Sequence, residues 1–541
     1  MPATAMSRMN RFALALAVAM SLGLGACAPD DEDGPQTGAS RVVVGLSELP
    51  GHLNPAITTA GGVHTVSEIL YDGLIRLEDD LRVRPALARA WSYLDDGRVV
   101  RFRLRTDARW HDGTPFTARD VVYSFQEVLL RYHSRTRASL GTALTGVEMV
   151  DDSTVDFRFR EPYGPLLRQL DVTEAPILPA HLYSETDPLT NPANRAPVGT
   201  GPYRFVRYDA DGLRYAANPD YHDGRPSIDE LHWRLIPDAG TQVTALERGA
   251  LDWLFAVPGP ERRRLEEDPT IRLLETTRGP GGSNCVMTLG FNLDRPLFGD
   301  ERTRWGIGHA IDRAQIVDRV LFGQGRVAEA PISSGIPFAH APEVELPGHD
   351  PEAAQRLLAD AGWGRDADGR WLAMDVNGVT AGTPLAFDFT HFPSFSQYAQ
   401  LLRAQLLAVG IELRLRPMEP PVFVEAVFTE RAFDTNVVSY CHGPDPEIGV
   451  RRMYISSNIA PVPFSNGAAY ANPVVDSLFD QARRSLDVEE RGDRYRRIQE
   501  IVARDLPYLP LVETESTRAH TARCSGFRAG GHFAAEARCR R

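Results

Sequence analysis

The strongest constraint on the fold of this chain is the segment Trp110–Phe125, which reads WHDGTPFTARDVVYSF. Its Asp-Gly-Thr-Pro stretch at 112–115 is typical of a turn. Thr117 stands three residues before Asp120, a capping-box variant that predicts the start of a helix. The apolar face of that helix carries Val121, Val122 and Phe125. A turn followed by a capped helix needs no catalytic group, so nothing in the segment itself requires an enzyme.

The N-terminus has the features of a bacterial lipoprotein signal. Arg8 and Arg11 precede an apolar run from Phe12 to Ala26, and small residues precede Cys27. That run has about 15 residues, fewer than the roughly 20 that a spanning helix needs. We predict a cleaved signal peptide over residues 1–26 and a lipid on Cys27 that anchors the protein outside the cytoplasm, on the periplasmic or cell-surface side of a bacterial membrane. The alternative is an ordinary secretory signal in which Cys27 has no role.

Composition restricts the classes to which the rest of the chain can belong. Residues 27–40 are acidic and rich in Pro and Gly, which predicts a disordered tether. The remaining chain of about 500 residues is long enough for two or three domains. The net charge of −13 argues against nucleic acid as a partner. The chain contains no lysine, which excludes Schiff-base and P-loop lysine chemistry.

The cysteines suggest disulfides rather than a metal site. Besides Cys27, the chain contains Cys285, Cys441, Cys524 and Cys539, without Cys-x-x-Cys pairs or metal-ligand spacing. An oxidising compartment would allow two disulfides. We predict a bridge between Cys524 and Cys539, because it would pin the C-terminal tail; the other two cysteines either pair or stay free and buried. We predict no cofactor and no metal site.

Further motifs follow one another in a fixed order. They are GTGPYRF at 199–205, NPDY at 218–221, IPD at 236–238, TQVTALERGALD at 241–252 and PEAAQRLLADAG at 351–362. Together with the segment at 110–125, this series resembles the extracellular solute-binding proteins of the oligopeptide/dipeptide/nickel-binding class, family 5. These substrate-binding lipoproteins deliver peptides, nickel chelates, opines or oligosaccharides to ABC importers. The resemblance extends from about residue 41 to about residue 512.

The resemblance implies an α/β fold of the periplasmic-binding-protein type II-like class. Two large lobes with mixed β-sheets flanked by helices would enclose a ligand cleft, and a third lobe would be inserted into the first. The predicted lobe I comprises 41–73, 198–290 and 506–541. The predicted lobe II comprises 74–197, and the predicted lobe III comprises 291–505.

One loop departs from the pattern of the peptide-binding members. In those members an aspartate, in patterns resembling Asp-Tyr-x-x-Pro, grips the ligand's α-ammonium. Here residues 439–446 read SYCHGPDP, and alignment on Asp445 places His442 at the aspartate position. A histidine cannot supply the negative charge that compensates a desolvated ammonium. Either the loop is shifted and Asp445 is the anchor, or Asp445 forms a structural turn while His442 bonds the backbone, a neutral ligand such as a sugar, or a chelated metal.

The resemblance places other contacts on loops that face the cleft. Thr58, Thr59 and His64 follow the first strand, where the two threonines are either ligand contacts or exposed residues at a helix entry. Ser394 and Phe395 lie between a predicted strand and a helix that starts near Gln397, and the aromatic ring either lines a pocket or packs in the core. Tyr440 either stacks on a ligand or packs.

The predicted function is that of a monomeric, non-enzymatic receptor that delivers a peptide to the transmembrane subunits of an ABC permease. The alternatives are an oligosaccharide or metal-chelate receptor with the same fold, and an extracytoplasmic hydrolase on the same scaffold. Converging carboxylate pairs in the cleft would favour the hydrolase. An enclosed site without an activated nucleophile would favour the receptor.

Overall fold

The computed structural model describes residues 40–276, 278–279 and 282–540. The predicted signal peptide, Cys27 and the tether as far as residue 39 lie outside the described residues. Within the described ranges, no helix has both the length and the apolar character needed to span a membrane.

A seven-stranded mixed sheet, the large sheet, contains the first described strand. Arg41–Leu46 is confirmed as a strand, with Val42 and Val44 fully buried, and it pairs in parallel with Glu230–Leu235. The strands in spatial order are Ile271–Thr276, Ser516–Thr521, Trp253–Leu254, Arg41–Leu46, Glu230–Leu235, Gly212–Ala217 and Tyr203–Asp209.

A six-stranded mixed sheet, the second sheet, is built from later parts of the chain. Its strands in spatial order are Gly325–Val327, Tyr508–Thr514, Cys285–Phe291, Thr435–Cys441, Ala386–His391 and Glu412–Pro417. Strand Tyr508–Thr514 therefore shares this sheet with Thr435–Cys441, although the predicted lobe I includes the residues from 506 onward. The strand returns to the second sheet because its buried apolar residues pair beside Cys285–Phe291. The division into lobes stays a prediction.

Smaller sheets and hairpins complete the β-structure. The small sheet contains Ala88–Leu94, Val99–Leu104, Thr154–Phe159 and Leu144–Asp151 in that spatial order. Two-stranded pairs join Ile75–Leu77 with Val83–Pro85, Arg278–Gly279 with Gly282–Ser283, Trp363–Arg365 with Trp371–Ala373, and Cys524–Ser525 with Arg538–Cys539.

Helices surround the sheets, as the α/β prediction requires. The α-helices are Gly61–Ser67, Ala118–Tyr123, Leu130–Tyr132, Ser134–Ser139, Ala180–Tyr183, Ala239–Glu247, Arg262–Glu266, Glu301–His309, Arg313–Arg319, Pro351–Asp360, Ser396–Ala408, Pro420–Val424, Pro446–Gly449, Arg451–Tyr454, Pro473–Arg484 and Val488–Asp505.

The segment at 110–125 has the predicted structure. Thr117 caps helix Ala118–Tyr123, and the reciprocal bond from the Thr117 amide to Asp120 Oδ2, 2.9 Å, completes the capping box. The other Asp120 oxygen accepts from the amide of Ala180 at 2.9 Å. His111 binds the glycine-rich motif at 199–205, because its Nδ1 accepts from the Gly199 amide at 3.1 Å and its Nε2 bonds the Gly201 carbonyl at 3.0 Å. These contacts explain the segment as a structural clamp between distant parts of the chain.

The chain passes between the large sheet and the second sheet twice. The first passage lies between Thr276 and Cys285, and the second lies between Thr514 and Ser516. Both passages join strands that are neighbours within each sheet.

Two disulfides connect the remaining cysteines. Cys524 bonds Cys539 and closes the C-terminal hairpin. Cys285 bonds Cys441, directly opposite it on the neighbouring strand of the second sheet. The alternative in which Cys285 and Cys441 stay free is therefore wrong, because strand pairing places them side by side.

Candidate functional site

The loop that follows strand Thr435–Cys441 is buried throughout. Every residue from His442 to Val450 is excluded from solvent. Loops normally lie on the surface, because a buried loop must find partners for its backbone and side-chain polar groups. The candidate site consists of this loop, the residues that bond to it, and its polar atoms that have no hydrogen-bond partner among the described residues.

Asn284 holds the start of the loop next to the passage between the sheets. The His442 amide donates to the Asn284 carbonyl at 3.2 Å, and the Asn284 side chain donates to the Gly443 carbonyl at 2.8 Å. The Cys285–Cys441 disulfide lies directly beside these bonds. These bonds fix the loop to the segment that connects the large sheet with the second sheet.

Asp445 is occupied by structural contacts. Its Oδ1 caps helix Pro446–Gly449 by accepting from the Glu447 amide at 3.1 Å, and it accepts from Arg491 Nη2 at 2.6 Å. Both side chains of the ion pair are 0% exposed. This geometry matches the structural-turn alternative for Asp445 and leaves its charge neutralised by Arg491.

Glu447 is a second buried carboxylate, and two arginines lie near it. It lies 3.5 Å from Arg451 and 3.7 Å from Arg483. Burial raises the pKa of Glu447 to about 7, and the charges of Arg451 and Arg483 oppose this rise only in part. Its carboxyl group therefore titrates near neutral pH.

His442 has one ring nitrogen bonded and one without a partner. The Ser333 amide donates to Nδ1 at 3.2 Å, while Nε2 is buried and has no hydrogen-bond partner within the described chain. Burial lowers the pKa of His442 to about 3, and the charge of Arg452 contributes to this lowering. The ring is neutral at physiological pH.

Arg452 adds a positive charge beside this histidine. Its Nε donates to the Gly449 carbonyl at 3.2 Å, and its guanidinium lies 5.9 Å from the centre of the Tyr440 ring. Tyr440 is buried and its hydroxyl donates to the Ser465 carbonyl at 3.4 Å. Within the described part of the chain, no carboxylate lies within ion-pair distance of Arg452.

The predicted ligand contacts Thr58, Thr59 and His64 lie near helix Ser134–Ser139 of the predicted lobe II. The His64 ring bonds Glu68 at 2.7 Å and the Thr58 carbonyl at 2.9 Å, and the Thr59 hydroxyl lies 3.4 Å from that of Ser134. Ser134 begins helix Ser134–Ser139, which also contacts helix Pro446–Gly449 of the buried loop. Helix Ser134–Ser139 therefore contacts both the residues near 60 and the buried loop.

Ser394 and Phe395 have a different setting. Ser394 is exposed, and the Phe395 ring packs against Phe392 and Tyr398 with centroids 5.6 and 5.8 Å away. Helix Ser396–Ala408 begins close to its predicted start. The contacts of Phe395 correspond to the packing alternative.

Several polar groups of the site were not predicted from the sequence. They are Ser333, Arg452 and the ion pair between Arg135 and Glu174, whose Nε and Oε2 atoms are 3.1 Å apart. They come from separate segments, and no motif marked them. A search of the described residues for three or more clustered His, Cys, Asp or Glu side chains that would suit a metal ion found none.

Comparison with known proteins identifies the family. The model for bacterial extracellular solute-binding proteins, family 5 Middle, matches residues 82–460. Protein XP55 of Streptomyces lividans is 31% identical over 494 residues, which cover 89% of this chain and 85% of that protein. The chain belongs to the bacterial extracellular solute-binding proteins of family 5.

Solved structures share the fold of this family 5 protein. The oligopeptide-binding protein AppA of Bacillus subtilis, in complex with a nonapeptide, aligns with a TM-score of 0.69 at 25% identity and covers 91% of this chain and 97% of its own. NikZ of Campylobacter jejuni, in complex with Ni(L-His), aligns with a TM-score of 0.73 at 22% identity over 92% and 97%. The predicted type II periplasmic-binding-protein fold is confirmed. Family 5 proteins serve ABC importers outside the cytoplasm, and the relatives are solute-binding proteins.

Loss of the Asp445 charge should destabilise the protein strongly. In Asp445→Asn, Arg491 would stay buried without its counter-charge, and we expect the free energy of unfolding to fall by about 3–5 kcal/mol. The matched control is Glu161→Gln, which removes the exposed ion pair with Arg484 at 2.6 Å and should cost less than about 1 kcal/mol. Urea denaturation measures both. Equal losses in the two variants would contradict a structural role for Asp445.

Glu447 should make stability depend on pH. Because its pKa rises from 4.5 in the unfolded chain to about 7 in the folded protein, the proton stabilises the folded state below pH 4.5, and that stabilisation, about 3 kcal/mol, is lost as the pH rises through 7. We expect Glu447→Gln to abolish this part of the pH dependence of unfolding between pH 5 and pH 8. The control Glu500→Gln changes an exposed carboxylate and should leave the dependence intact; identical profiles for parent and Glu447→Gln would refute the assignment.

Proposed function

We propose that this protein is the receptor of an ABC importer, anchored by a lipid on Cys27, that captures a peptide between its lobes as a monomer and delivers it to the permease. The observation that supports this most is the buried loop from His442 to Val450. It contains His442, whose buried Nε2 has no hydrogen-bond partner within the described chain, which is the state expected of a site that closes over a ligand.

The described structure has contacts that would hold such a site closed. The Gly164 amide donates to the Arg483 carbonyl at 2.9 Å. This bond joins the segment after the small sheet to helix Pro473–Arg484. Arg168 lies over the Phe338 ring with 4.4 Å between its guanidinium carbon and the ring centre. These contacts join the predicted lobes II and III and support a closed arrangement.

Peptide is the first ligand class, because the similar AppA structure contains a nonapeptide. A metal chelate is the second candidate, because the similar NikZ structure contains Ni(L-His).

Native mass spectrometry of the body from Gly38 onward tests the proposal. We expect the protein to carry a small molecule that is released on denaturation and identified as a peptide. A released metal chelate would replace the peptide by the second candidate. An empty protein that gains no thermal stability from a panel of peptides and chelates, although saturating ligand stabilises by mass action, would contradict the receptor function.

Closure should be sensitive to the size of residue 164. A Cβ atom added at Gly164 would lie 1.9 Å from the Ser485 carbonyl oxygen, whereas one added at Gly146, in the same small-sheet region, would meet no described atom within 4 Å. Overpacking of about 1–3 kcal/mol should weaken ligand affinity of Gly164→Ala by roughly 5- to 150-fold. Small-angle scattering of the ligand-bound protein should show a larger radius of gyration. Gly146→Ala is the control; if both variants bind and close like the parent, the contact does not stabilise the closed state.

A further inference from the structure

The proton of the His442 ring can be placed from its hydrogen bonds. A backbone amide can only donate, so the bond from Ser333 N to Nδ1, 3.2 Å, shows that Nδ1 carries no proton. The ring is neutral, since burial lowers the pKa of His442 to about 3. Its single proton must therefore be on Nε2.

This Nε2–H group is a donor without an acceptor. The side chain is 0% exposed, and Nε2 has no hydrogen-bond partner anywhere in the described ranges. His111 shows the same state completed: its Nδ1 accepts from the Gly199 amide, and its Nε2 donates to the Gly201 carbonyl at 3.0 Å. An unsatisfied buried donor destabilises the folded state, and an acceptor brought by a ligand would remove that cost.

The same tautomer is unsuited to binding a metal. A histidine that ligates a metal through one nitrogen normally donates a proton from the other to an oxygen atom of the protein. In His442 the other nitrogen is itself an acceptor, because Ser333 donates to it. Metal ligation by Nε2 would require loss of the Ser333 bond or a second deprotonation of the ring.

The charges around His442 favour an anionic group. Burial lowers the pKa of Arg452, and so does the positive charge of Arg135, while Tyr440 and Glu174 oppose this change. Glu174 already forms an ion pair with Arg135. Among the described residues no carboxylate forms an ion pair with Arg452, so an anionic group of a ligand can compensate its positive charge.

We infer that this site recognises a carboxylate of its ligand, which accepts a hydrogen bond from His442 Nε2–H and forms an ion pair with Arg452. The inference rests on the proposed receptor function and adds the ligand chemistry. It replaces recognition of an ammonium group by recognition of an anion, and it gives His442 the role of a specificity-determining donor. A peptide would be read through its carboxyl end or an acidic side chain.

The first test reads the tautomer directly. Nitrogen-15 NMR of the histidine-labelled protein distinguishes protonated from unprotonated ring nitrogens, and His442→Gln assigns the signal by its loss. We expect His442 to show a protonated Nε2 and an unprotonated Nδ1 from pH 5 to pH 8, with His111 as an internal reference for the same state. A protonated Nδ1, or a ring that titrates in this range, would overturn the inference.

The second test uses two pairs of probes that differ only in the carboxylate. The first pair is N-acetyl-trialanine and N-acetyl-trialanine amide, and the second is gluconate and gluconamide. Calorimetry measures the affinity of the protein for each probe. For each probe pair that binds, we expect the acid to bind at least tenfold more tightly than the amide. Arg452→Gln should abolish this preference, and the control Arg497→Gln, which changes an exposed arginine of helix Val488–Asp505, should retain it. His442→Asp should also abolish the preference, because it puts a negative charge where the acid would bind.

The outcomes separate this inference from the proposed function. Binding of gluconate but not of the acetylated peptide would support the inference and exclude the peptide assignment. Amides that bind as tightly as acids would overturn the inference and leave the receptor function standing. If none of the four probes binds, the inference is contradicted, and the receptor function is then judged by the molecule that native mass spectrometry detects.

Discussion

The ion pair between Asp445 and Arg491 fixes the loop on which the candidate site is built. Both side chains are excluded from solvent, and the same carboxylate caps the helix that ends the loop. Two buried charges gain little net stability from each other, but removal of one leaves the other without compensation. This pair therefore defines one position of the loop rather than supplying most of the stability of the fold. With Asn284 and the disulfide at the opposite end, it holds His442 where its Nε2 has no acceptor among the described residues.

Histidines in this protein show how the same residue type takes different roles according to its partners. His111 satisfies both nitrogens with backbone groups of a distant glycine-rich motif, so it joins two segments. His64 is enclosed by Glu68 and the Thr58 carbonyl. His442 has the protonation state of His111, but the described chain offers it no acceptor. A ring nitrogen without a hydrogen-bond partner among the described residues also occurs at His133, His222, His232 and His391. The position of His442 in the buried loop, beside Arg452, is therefore what makes it a candidate for ligand recognition.

Family membership accounts for the architecture and leaves ligand chemistry to a few loops. Two mixed sheets are joined by two passages of the chain, and the contacts of Gly164 and Arg168 join the predicted lobes II and III. We propose that the loop after strand Thr435–Cys441 determines the ligand in this protein. A neutral donor at His442 in place of an acidic anchor would alter the charge of the site without altering the strands that carry it.

The sequence by itself determined the elements whose causes are local. The capping box at Thr117 and Asp120, the buried strand Arg41–Leu46 and the helix after the loop at 390–396 follow from side chains within a few residues of one another. The ordered motifs likewise indicated the family and the type II fold. The tertiary structure decided which groups are paired: Ser333 reaches His442 across 109 residues, and Arg491 reaches Asp445 across 46. It also placed strand Tyr508–Thr514 in the second sheet and joined Cys285 to Cys441. Hydrogen bonds and ion pairs act over a few ångströms in space, so local patterns do not reveal partners that only the folded chain brings together.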